Sequence, residues 1–189
     1  MKALKFSLSL ALFIMFSFSL FLGQTASLQP EPADQLPQFN KTNKSILENG
    51  NSIIAAAKVH STTPARLWQE SENIPLEQLT KSPVSSIGKL CKVSGVVQQI
   101  EELSPDDIDV PGTWSAILIQ SPNKNSPFGL TNVEILFEGN TKLINPGSKI
   151  TLAGYYVGTH EGQNLLGGTV ESVVFVTNSI KVIAFSGRR

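Results

Sequence analysis

From Ile87 to Phe185 the chain breaks into six short apolar runs divided by turn residues, with no run of helical spacing between them. The runs are Leu90–Ile100, Trp114–Gln120, Asn132–Glu138, Lys149–Val157, Thr169–Val176 and Ile180–Phe185. The breaks include Pro111-Gly112, Ser121-Pro122-Asn123, Gly139-Asn140, Asn145-Pro146-Gly147 and Gly167-Gly168. Proline fixes φ, glycine reaches positive φ, and Asn or Ser side chains bond their own backbone, so each break is a turn with a physical cause. Five or six strands in about 100 residues, without long helices, predict a small closed or nearly closed barrel of the OB type. Closure also removes the exposed edges that an open meander would leave. Gly95 and Gly154 fall inside the first and fourth strands, where a sharply coiled strand needs a missing side chain. A β-sandwich is the main alternative, but it usually requires about seven strands.

The barrel, residues 84–186, occupies the second half of a 189-residue chain, and the first half reads differently. Lys2 and Lys5 precede an apolar stretch, Leu8 to Leu22, of the length expected for the core of an export signal. Residues 1–27 therefore read as a signal peptide or, if uncleaved, an N-terminal anchor in which residues 6–23 meet the membrane. Either reading places the remainder outside the cytoplasm, in the periplasm or beyond the cell. Removal of residues 1–27 takes two lysines from a chain with 15 basic and 15 acidic side chains, leaving it mildly acidic. Residues 28–44 carry three prolines in a polar setting and read as a spacer.

Residues 45–83 form a short helical lead-in. Ile53, Ile54 and Ala57 lie near helical spacing, which predicts a helix over Asn51–His60, and Asn49-Gly50 interrupts the pattern before it. Pro64 suits the first turn of a second short helix that carries Trp68, expected to anchor this segment to the barrel.

Two stretches carry a family likeness. Pro75-Leu-Glu-Gln-Leu-Thr-Lys-Ser-Pro83 followed by Ile87-Gly-Lys-Leu-Cys-Lys-Val-Ser-Gly-Val-Val97 resembles the opening of exported bacterial OB-fold proteins, specifically the tRNA-anticodon-domain-like OB family. Leu143-Ile-Asn-Pro-Gly-Ser-Lys-Ile-Thr-Leu-Ala-Gly154 resembles that family's entry into its fourth strand. Cys91 stands where the pattern has Val, and Ser148 where it often has Asp. The likeness implies the barrel; it does not imply tRNA binding, because the fold hosts many ligands.

The chemistry the residues can support is limited. One Cys excludes a disulfide framework and a thiolate zinc cluster within the chain, and two His leave little for a histidine metal site. No nucleophile elbow, phosphate-cradling glycine loop or HExxH is present, so no cofactor is implied. Cys91 alternates with Val93 and should point inward as a small hydrophobe. His160 is expected in an exposed turn after the fourth strand. Asp107 and Asp109 alternate in the acidic 101–109 loop, but no downstream acid completes a calcium site.

Residues 84–184 carry six Lys and nine Asp or Glu, and alternation places Glu134 and Glu138 on the outer face of the third strand. Two carboxylates where phosphates would lie argue against nucleic acid as a partner. The reading that follows is an exported, non-enzymatic OB module of the cell envelope. It would bind a peptide, an oligosaccharide or an envelope protein through Trp114, Glu134, Glu138, Tyr156 and His160. A module for single-stranded nucleic acid is the alternative, and a hydrolase using the 101–109 loop is the third reading.

Overall fold

A computed structural model of the chain describes residues 37–104, 110–126, 128–163 and 169–184. Five short helices precede six strands: α1 (Ile46–Asn49), α2 (Asn51–His60), α3 (Pro64–Glu70), α4 (Leu76–Lys81) and α5 (Pro83–Ser86), then β1 (Leu90–Glu102), β2 (Trp114–Pro122), β3 (Leu130–Glu138), β4 (Lys149–Gln163), β5 (Thr169–Thr177) and β6 (Ile180–Ala184). The helix expected over Asn51–His60 is α2, and Gly50 separates it from α1 at φ 68°, a left-handed conformation that glycine adopts without steric cost. Pro64 opens α3 at the position where its missing N–H is no loss, and the Thr63 hydroxyl accepts from the Arg66 N–H.

The strands close a ring. β1 pairs antiparallel with β2, β2 with β3, β3 lies parallel to β5, β5 pairs with β4, and β4 returns to β1. β6 continues along the edge of β4, with Thr151 opposite Lys181. This is a mainly β, OB-like barrel, as the turn spacing predicted. Both strand glycines sit where backbones cross closely. A Cβ on Gly95 would lie 2.6 Å from the Gln120 carbonyl oxygen, and one on Gly154 would lie 2.8 Å from that of Val176.

Alternation fills the barrel interior. Cys91, Val93, Val97, Ile117, Ile119, Val133, Ile135, Ile150, Leu152, Val173 and Phe175 form one buried cluster, which α4 closes with Leu76 and Leu79. A second cluster lies outside the barrel wall. Ala55, Ala56 and Val59 of α2 and Leu67 of α3 pack with Val157, Val174 and Val176, and with the partly buried Leu136. Strand β5 is consequently apolar on both faces, from Val173 through Val176. The amphipathic α2 thus covers part of the outer sheet, which is why a strand run without alternation is stable here.

A bulge in β4 between Tyr156 and Gly158 ties the lead-in to this wall. The Asn49 side-chain amide donates to the Val157 carbonyl at 3.1 Å. The buried Asn51 clamps the preceding chain through Asn40: its amide donates to the Asn40 carbonyl at 2.8 Å, and its Oδ1 accepts from the Asn40 N–H at 2.7 Å. Burying two Asn side chains is tolerated because their polar atoms find backbone partners.

Candidate functional site

The outer face of β3 presents Glu134 and Glu138, as alternation predicts, but each carboxylate already has a histidine. Glu138 Oε1 lies 2.6 Å from His60 Nδ1 at the end of α2, and Glu134 Oε2 lies 2.9 Å from His160 Nδ1. His160 is not in a turn. β4 runs on to Gln163 and places His160 opposite Ser172, with its side chain 11% exposed. The Glu134 carboxylate accepts a hydrogen bond from the imidazole and raises its pKa above the ordinary 6.5, against the opposing effect of burial.

Two residues expected at a ligand surface are buried. Trp114 is 3% exposed, packs in the outer cluster beneath the helices, and its indole N–H donates to the Val110 and Pro111 carbonyls. Tyr156 is fully buried inside the barrel, where burial pushes its phenol well above the ordinary range. Alternation from Ile150 and Leu152 through Gly154 was the signal that Tyr156 faces inward. For Trp114 the strand pattern holds no such signal, because the helices that cover the outer face come from another part of the chain. Cys91 is buried as expected, and the apolar interior pushes its thiol up to about 12. Asp107 and Asp109 lie outside the described residues. Among the described residues no group of three or more His, Cys, Asp or Glu is placed to hold a metal ion.

A different surface combines charge with an aromatic ring. The exposed Lys181 of β6 holds its ammonium 3.7 Å from the centroid of the Trp68 ring on α3, and the Lys92 ammonium of β1 lies 5.4 Å from the same centroid. Lys92 also donates to the Ser71 carbonyl at 3.1 Å. Lys149 projects from the same outer sheet face, opposite Val96 of β1, and Ser94 faces Thr151 between them, their hydroxyls 2.6 Å apart. Among the described residues none of these three ammoniums forms an ion pair. Pro64, Ala65, Trp68, Gln69, Ile180 and Lys181 border a shallow hollow of about 400 Å³ beside the ring. Two cations beside a partly exposed indole, with a third on the same sheet face, form a surface suited to an anionic ligand that carries planar groups. Nothing in the local sequence signals this grouping, since its members come from α3, β1, β4 and β6.

No family model matches this sequence, and no curated protein sequence is similar to it. Among solved structures, the mitochondrial single-stranded DNA-binding protein of S. cerevisiae is similar at 9% identity and a TM-score of 0.37, over 52% of this chain and 98% of that one. The expected envelope-ligand module, with nucleic acid disfavoured, is corrected here: the carboxylates behind that expectation, Glu138 and Glu134, are engaged by His60 and His160. Lys92, Lys149 and Lys181 lie instead on the outer face of β1, β4 and β6.

Proposed function

We propose that the protein is a non-enzymatic OB-fold module that binds single-stranded nucleic acid along the outer face of β1, β4 and β6. The observation that carries this reading is the pair of ammoniums without an ion-pair partner among the described residues, Lys92 and Lys181, beside the half-buried Trp68 ring, with Lys149 on the same outer sheet face. Such a strand needs cations to follow its phosphates and an aromatic face for its bases, and it needs no base-specific hydrogen bonds. The modest acidity of the barrel as a whole does not oppose this. Charges beyond about 10 Å are largely screened at ordinary ionic strength, so the local field governs contact.

Kinship with the tRNA-anticodon-domain-like OB family and export through residues 1–27 belong to the same proposal. On this proposal the binding face lies outside the cytoplasm. Intact-mass analysis of the native protein tests the export step: a new terminus near residue 27 or 28 supports it, and a full-length chain counts against cleavage.

The binding reading is tested by fluorescence anisotropy with a labelled oligothymidylate of about twelve nucleotides and a duplex of equal length, at about 50 mM salt. Preferential binding of the single strand is expected. No association with the single strand overturns the proposal.

A further inference from the structure

Resting on that reading, the geometry points to Trp68 as the base-stacking position, with Lys181 as a placeholder that yields the ring to an incoming base and moves to the adjacent phosphate. At 3.7 Å from the centroid the Lys181 ammonium lies over the ring at cation–π distance, so one indole face is already occupied in the free protein. Lys181 has the freedom to leave. It is exposed on β6, whose ladder is to β4, and among the described residues its ammonium makes no hydrogen bond or ion pair. Lys92 is the fixed member of the pair, since the Ser71 carbonyl holds it beside the ring.

A nucleotide supplies both groups this arrangement needs. The base has a π-face to replace the ammonium on the indole, and the phosphate one bond system away accepts the displaced cation. Lys181 exchanges one favourable contact for another, so its desolvation is not left uncompensated. The hollow bordered by Pro64, Ala65 and Ile180 gives the base an apolar rim beside the ring. Because stacking tolerates every base, this position would confer affinity without sequence preference.

The test uses the full chain and two labelled probes of equal length, oligothymidylate and an abasic deoxyribose-phosphate oligomer. Trp68→Leu is expected to weaken oligothymidylate binding about tenfold and leave the abasic probe unchanged, with Trp68→Phe falling between. Lys181→Ala is expected to weaken both probes and to reduce the steepness of the salt dependence by about 0.7 in the log–log slope. Equal loss of both probes in Trp68→Leu, or no loss, overturns the stacking role. Failure of the unaltered chain to bind either probe instead overturns the underlying nucleic-acid reading.

Discussion

His60 Nδ1 and Glu138 Oε1 stand 2.6 Å apart, so the last residue of α2 is joined to the last residue of β3. The contact lies next to Val59 and two residues from Leu136, both of which belong to or pack against the outer apolar cluster. It therefore helps to hold the helical lead-in across the barrel wall. Because His60 remains partly exposed, its contribution is limited by solvent screening. Glu138→Gln should destabilise the fold by about 0.5 kcal/mol, and the same change in a His60→Ala background should cost less. Urea denaturation of the four chains of this cycle measures the coupling; strict additivity would show that the pair contributes nothing.

The second pair has a pH signature. Glu134 raises the His160 pKa through its hydrogen bond, with burial opposing. A raised folded-state pKa means that the folded protein binds the proton more tightly than the unfolded chain does. The stabilisation is fully present below the unfolded value near 6.5, while Glu134 is still ionised, and is lost as pH rises through the folded value. NMR titration should find His160 above 6.5 in the native chain and lower in Glu134→Gln, with the stability gap between the two shrinking as pH rises. A native midpoint at or below 6.5 would contradict this.

Gly95→Ala and Gly154→Ala should each destabilise the barrel by about 1–3 kcal/mol, because the new methyl group meets carbonyl oxygens that are fixed in the ladder. Thr177 Cβ, at 2.9 Å, crowds the second position as well. Thermal or urea unfolding reads the effect. Gly50 is different: a Cβ there meets nothing within 4 Å, and its alanine variant would suffer only the strain of its φ of 68°.

Cys91 should be inert in the native protein. With the thiol buried and its pKa pushed up to about 12, almost no thiolate exists at neutral pH. Ellman's reagent should react slowly with folded protein and rapidly in denaturant. Fast native labelling would refute the inward placement.

Much of the fold is legible in the sequence because it is set by local chemistry. Turn residues divide the strands, Gly50 ends α1, Pro64 starts α3, and alternation places Cys91 inward and Glu134 outward. Trp114 shows where this reading stops. Period-two alternation assigns a side chain to a face, but whether that face meets water depends on α2 and α3, which pack there through non-local contacts. His160 was missed because β4 extends past Val157, beyond the bulge at Gly158, into a polar sequence that reads as a turn. Lys92, Lys149 and Lys181 share a face only once β1, β4 and β6 are paired, so no sequence window contains the site.

Contact of Lys92, Lys149 and Lys181 with phosphates is tested by the salt dependence of oligothymidylate binding. Three phosphate contacts give a log–log slope of about −2, so affinity should fall about twentyfold between 50 and 200 mM salt. Replacing the three lysines together with alanine should flatten that slope and abolish most of the binding. A steep slope that survives the triple substitution, or no binding at low salt, would contradict the account.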